Sequence, residues 1–320
     1  MHGAQSFNLL SYYLLFAQRF INERLFPRRT KYIRQGILWA AFALFCFSRL
    51  YRIIYKQEFF VWRARHCMFT KTKFLDDADD DEFLNWMWSV MPNIVNICSF
   101  ATLSDSIDMF HYNGSEVLFL TELVTDEEHH CDLLFLTDYG EMAIPKAMAR
   151  NYNTCMVHSS SDTHPPMRLQ RHSPVKTYPF KISPRGGLKT DLFEDITAEE
   201  YSDVSLVTLM SFFIRRYRVS SIVINMKNAN EFVPLFFTSG IFQESSLVTC
   251  QINIAYPKPR NDAEITQFRI AWLRLLKDRN YLLTHASRSK DVMNMFLVNL
   301  SDGYCWQKYL SSTPPNTVYY

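Results

Sequence analysis

The sequence predicts an α/β protein: a mainly parallel, Rossmann-like sheet with helices on both faces, preceded by a helical N-terminal region. Three observations predict it. From residue 131 onward, short apolar runs of strand length alternate with longer stretches of helical period, the grammar of strand–helix–strand units. The 320 residues are 48% hydrophobic and 15% aromatic, ample for one sizeable core. Polar turns directly follow the apolar runs, as in "SIVINMKNANEF" from 221, and doubly wound sheets bind ligands at such strand ends.

Residues 1–35 form a basic tail. Residues 36–56 read as a single-pass transmembrane anchor, with the lipid bilayer as partner. The unbroken apolar core, Ile37 to Phe47, is shorter than the ~20 residues a span needs, so Arg49 and Arg52 must snorkel. An amphipathic or buried helix is the alternative. Basic residues flank the core on both sides and tilt the N-terminus only slightly toward the cytoplasm. The C-terminal domain is then lumenal or extracellular, in agreement with the sequons at Asn113 and Asn299.

Residues 57–130 read as a mainly helical region. The acids at 79–82 precede an apolar helix bearing Phe83, Leu84, Trp86, Met87 and Val90, and carboxylates suit a helix N-terminus. A calcium loop would need a turn glycine, and none is there. "SEVLFLTELV" reads as a strand. The side chains of His129 and His130 are neighbours in sequence and diverge, so no metal site is expected.

The α/β domain spans 131–310. "DLLFL" is a buried strand, "AIPKAMARNY" a helix with Pro145 in its first turn, and "CMVH" a second strand. A Ser/Pro-rich loop follows, with "YPFKI" as a strand-like island. Residues 203–217 have a helical period with Ser205 as cap, then come the strand at 221, the strand "SLVTCQINIAY", a helix over 263–281 and the strand "MNMFLVNL". Residues 311–320 are a tail.

Composition excludes several classes. A net charge of +2 with scattered Lys and Arg argues against a nucleic-acid partner. Eight glycines, with one adjacent pair at Gly186-Gly187, count against a glycine-rich phosphate cradle. Six cysteines outside the anchor, at 67, 98, 131, 155, 250 and 305, form no CxxC pair, which disfavours zinc. Their even number fits up to three disulfides, with fifteen possible connectivities, in an oxidising compartment.

Position alone nominates the candidate site. Tyr139 and Gly140 lie in the first strand–helix turn, Asp162 follows the second strand where an acid could hold a ribose diol, and Asn225 and Lys227 end the strand at 221.

The order "TLMSFF…SSIVINMKNANEF…CQINI…FLVN…CWQKY" resembles the FkbM-type methyltransferase-like domain, and more closely the nematode-type group of membrane-anchored or secreted proteins carrying it. The resemblance covers roughly 130–310. It implies a Rossmann-like methyltransferase sheet that binds S-adenosylmethionine and methylates oxygen. The Thr-Leu pair heading a helix corresponds to Thr208-Leu209. The family's Asp-x-Glu-Gly-Ala-Glu strand end falls on Asn225, Lys227, Asn228, Ala229 and Asn230, of which only Ala229 matches. Its Cys-Gln-x-Asn-x-Glu-x-His strand keeps Cys250, Gln251 and Asn253 but has Ala255 and Pro257 at the Glu and His positions. The glycine-rich turn keeps Gly140, and the ribose acid falls on Ser161, one place before Asp162.

These departures change the chemistry. Asn has the shape of Asp but cannot serve as a base, and Glu to Lys reverses the charge a cationic sulfonium would meet. Losing the histidine removes the usual neutral-pH base. Two functions follow: a S-adenosylmethionine-dependent O-methyltransferase working by alignment alone, or a non-catalytic module on the same scaffold that recognises a secretory protein or glycan.

Overall fold

A computed structural model describes residues 31–75, 77–103, 107–112, 115–120, 131–138, 142–161, 173–184, 203–237, 240–278 and 280–309. The sequon at Asn113, the histidine pair and the expected cofactor residues Tyr139, Gly140 and Asp162 lie outside the described residues. The chain forms two compact units, Met1–Phe59 and Phe60–Tyr320.

The first unit is described from Lys31, as the leading part of helix α1 (Lys31–Thr72). Residues 39–48 are exposed, including Trp39 at 70% and Phe47 at 76%. A transmembrane anchor was expected over 36–56; among the described residues, no helix is long and apolar enough to cross a membrane. The cause lies in the sequence. The apolar core ends at Phe47, and α1 runs straight on through Arg49, Arg52 and Lys56 instead of adding further apolar turns.

In the second unit, α2 (Asp80–Leu103) starts where the carboxylate of Asp79 accepts the N–H of Glu82 at 2.7 Å. Its apolar stripe, Phe83, Met87, Met91, Ile94 and Cys98, recurs every three or four residues and is buried. Arg269 fastens the helix start, with an ion pair to Asp80 at 2.9 Å and hydrogen bonds to the carbonyls of Leu75 and Ala78. The region expected to be helical up to 130 then turns into a hairpin, β1 (Ile107–Tyr112) against β2 (Ser115–Leu120).

The central sheet takes its first strands from β3 (Cys131–Thr137), helix α3 (Ala143–Asn151), β4 (Cys155–Ser160) and β5 (Val175–Tyr178). The island at 178–182 is divided: Pro179, without an N–H, interrupts it, and β6 (Lys181–Ser183) pairs instead with β7 (Asp203–Ser205). The helix expected over 203–217 therefore begins later, as one α turn at 206–208 and a π-helical segment at 209–214. Ser205 caps it as expected, its hydroxyl accepting the N–H of Thr208 at 3.0 Å.

There follow β8 (Arg218–Asn225), β9 (Val248–Pro257), helix α4 (Asp262–Lys277), β10 (Tyr281–Arg288), β11 (Val292–Asn299) and helix α5 (Gly303–Tyr309). Strand β10 replaces the end of the helix expected to reach 281. Asp278 turns the chain there, its carboxylate accepting the N–H groups of Asn280 and Tyr281. The order across the seven strands is β10-β11-β9-β8-β3-β4-β5, and only β11 runs antiparallel to its neighbours.

Both faces are covered, which is why the strands read as continuous apolar runs. Leu134, Leu136, Ile222, Ile224, Ile252 and Ile254 pack with α2, α4 and the 206–214 segment. Leu133, Phe135, Val157 and Val175 pack with α3 and Val117 of β2. The hairpin is held on this second face by two amides. Asn253 Oδ1 accepts the N–H of Leu118 at 2.9 Å while its Nδ2 donates to the Leu118 carbonyl at 2.8 Å. Gln251 does the same for Leu120, at 2.7 and 3.3 Å. Along the outer edge of β10, Asn96 exchanges two 3.0 Å bonds with the backbone of Ala286, and Ser99 donates to the carbonyl of Leu283. Three disulfides are present: Cys67–Cys98 joins α1 to α2, Cys131–Cys155 joins the first residues of β3 and β4, and Cys250–Cys305 joins β9 to α5.

Candidate functional site

The carboxyl ends of β3 and β8 lie side by side, with Thr137 opposite Asn225 in the ladder. The turns that follow complete the junction: the carboxylate of Asp138 accepts the backbone N–H of Lys227 at 2.5 Å. The first strand–helix turn is thus tied to the turn after β8 by a charge-assisted bond across 89 residues of sequence. Of the candidate residues, Asn225 and Lys227 are exposed and come together here.

The turn after β8 closes on itself. The N–H of Ala229 donates to the carbonyl of Met226 at 3.1 Å, and a single 3-10 turn follows at 229–231. Met226 and Ala229 point into the core, at 5% and 0% exposure. Ala229 is therefore fixed by packing, while Asn225 and Lys227 beside it face solvent.

The other ends carry little chemistry. At the second strand, Ser161 is buried and its N–H donates to the carbonyl of Tyr178 at 3.2 Å, so the position expected for a ribose acid is closed by backbone pairing. At the fifth strand, Ala255 and Pro257 stand opposite Asn294 and Val292, and supply neither carboxylate nor imidazole. Gln251 and Asn253 serve as the clasps of the hairpin. The Phe-x-x-Asn element is structural too. Asn299 is buried, donates its amide to the carbonyl of Thr249 at 3.2 Å and accepts the N–H groups of Ser301 and Asp302. The sequon there cannot carry a glycan in the folded chain. Lys308 is buried as well, donating to the Tyr304 hydroxyl at 3.2 Å.

A polar cluster that the sequence reading did not assemble lies deeper in the sheet. His158 Nε2 is 3.1 Å from Asp132 Oδ1, and Nδ1 is 3.0 Å from the Tyr178 hydroxyl. The second oxygen of Asp132 meets Arg216 Nε at 3.2 Å. The hydrogen bonds suit the tautomer in which Nε2–H donates to the carboxylate and Nδ1 accepts from tyrosine. Burial, and then the nearby Asp132 carboxylate, push the Tyr178 hydroxyl up to about 12. Asp132 sits five residues before the end of β3, roughly 16 Å from that end by strand rise. The cluster thus braces β3, β4 and β5, and its Asp132 end lies well before the turn at 138. An acid within the apolar run "CDLLFL" was its one visible sign.

No protein-family model, no curated protein and no solved structure matches this chain.

Proposed function

We propose that the chain is a methyltransferase-type scaffold whose reaction centre lacks the acids and the histidine of the family pattern, and that it acts as a non-catalytic binding module for a secretory protein or a glycan. One observation carries this reading. The carboxylate at the junction of β3 and β8, Asp138, is engaged by the backbone of Lys227, while positions 225, 227, 255 and 257 offer an amide, a cation, a methyl group and a proline. A cationic sulfonium bound there would face Lys227 with no opposing acid from those positions. The three disulfides support a secretory route.

The sheet favours keeping a second reading, a S-adenosylmethionine-dependent O-methyltransferase. Counted in chain order, the seven strands lie 3-2-1-4-5-7-6. The parallel 3-2-1-4-5 part follows the doubly wound nucleotide-binding order, and the antiparallel strand beyond it suits the methyltransferase-type sheet that the resemblance implies. Alignment of donor and acceptor can supply much of a methyl transfer without a base.

Calorimetry separates the two. The full chain is titrated with S-adenosylmethionine at millimolar concentration, beside Asn225→Asp/Lys227→Glu. The binding-module reading expects no saturable heat from the native chain. Saturable binding with methyl transfer to any oxygen acceptor overturns it.

A further inference from the structure

On the face of the sheet covered by the hairpin and α3 lies a cavity of about 60 Å³. Its lining is almost entirely hydrocarbon, with Val117, Leu133, Phe135, Met148 and Val223 among the contributors. Phe119 and Tyr152, both half-buried and in edge contact with ring centres 4.9 Å apart, also line it. Its polar side chains are Tyr152, Tyr309, Gln251, whose amide is engaged by Leu120, and Ser220 and Ser221 in β8, each 3% exposed, whose hydroxyls have no hydrogen-bond partner among the described residues.

A buried hydroxyl without a partner is less favourable than the alanine that could replace it. Two of them, adjacent in sequence and facing a hydrocarbon-lined space, point to a missing partner that enters from outside. The lining limits its chemistry. Among the described residues no charged side chain lines the cavity, so a carboxylate or ammonium would be buried there without compensation. The volume is well under the roughly 150 Å³ that admits benzene, so an aliphatic group fits and a ring does not.

We propose that this cavity binds the neutral, oxygen-bearing end of an aliphatic molecule, with its oxygen hydrogen-bonded by Ser220 and Ser221. A free short alkanol and the hydroxyl end of a fatty alcohol share this chemistry. The site lies against the middle of the sheet, away from the turns at 138 and 227, and does not depend on the function proposed above.

The test titrates the full chain with 1-butanol, 1-octanol and 1-dodecanol, with butanoate as the charged control, followed by calorimetry and thermal shift. Saturable binding of the alkanols without binding of butanoate is expected. Affinity that keeps rising through dodecanol identifies the lipid end, and a plateau at butanol identifies the small alkanol. Ser220→Ala/Ser221→Ala is expected to weaken alkanol binding by about tenfold, one hydrogen bond's worth, with a Tm without ligand equal to or above the native value. Val223→Leu fills the space without touching either serine and is expected to abolish binding even if the double variant folds poorly. Equal binding of butanoate, no saturable binding, or a crystal soaked in 1-butanol showing only water at the two hydroxyls would each overturn the proposal. So would a lower Tm of the ligand-free alanine variant, because it would mean that water already satisfies the serines.

Discussion

Asn253→Ala is the sharpest test of how the second face of the sheet is closed. Asn253 is 8% exposed and Leu118 is 4% exposed, so the bonds between them are shielded from water. Removing the amide leaves the Leu118 N–H and carbonyl buried and unpaired, at about 1–3 kcal/mol each. Partial entry of water and the surviving Gln251 clasp reduce the sum, so a loss of about 3 kcal/mol is expected. For a unit of this size that corresponds to a fall in Tm of roughly 6–12 °C. Asn253→Asp keeps the acceptor for Leu118 N–H but sets a carboxylate oxygen against the carbonyl, so it should not rescue. Thermal unfolding measures the loss, and hydrogen exchange at the Leu118 and Leu120 amides locates it. A variant melting within about 1 °C of the native chain, with Leu118 exchange unchanged, would refute the clasp.

Three further outcomes follow from other parts of the structure. Under native conditions alkylation should label Cys46 alone of the seven cysteines, and all seven after reduction and unfolding; native labelling of a second cysteine would contradict the three bridges. Replacing both Cys131 and Cys155 by alanine opens a loop of 24-residue separation, worth about 3.5 kcal/mol by chain entropy, and should lower Tm without changing the far-ultraviolet dichroism. The buried tyrosine sets an alkaline limit. The Tyr178 hydroxyl is raised from 10.0 to about 12, so its contribution is complete below pH 10 and is lost as pH rises toward 12. Tyr178→Phe should therefore flatten the fall in stability over that window, measured by denaturant melts, and an identical slope in both proteins would contradict it.

Much of the sheet was legible because β3, β8 and β9 carry apolar runs bounded by polar turns. The cap at Ser205 was legible for a similar reason, since a cap acts on the backbone three residues away. What escaped was non-local or hidden by continuity. "YLLTHASR" follows helix α4 without a glycine, and its start is decided by the Asp278 carboxylate bonding two N–H groups ahead of it. Gln251 and Asn253 stood out only as parts of a family pattern, because nothing local to an amide tells which distant backbone it will meet. At the candidate site the loss of charge could be read directly. The closure by Asp138 could not, since its partner lies 89 residues away and is a backbone group with no sequence signature. At the membrane segment the unbroken apolar run is eleven residues, against the ~20 a span needs, and no helix among the described residues is long and apolar enough to cross a membrane.

The amide of Asn96 on the edge of β10 bears on how this chain behaves in a crowd. An open strand edge is a template for the strand of another molecule, and growth from it needs a run of consecutive free backbone groups. Asn96 occupies both groups of Ala286, and Ser99 occupies the carbonyl of Leu283, three residues earlier. An incoming strand would find these three backbone groups already bonded to side chains of α2. The sheet therefore ends at α2 for every neighbour in solution, and end-to-end stacking into fibrils is blocked on that side by one asparagine and one serine.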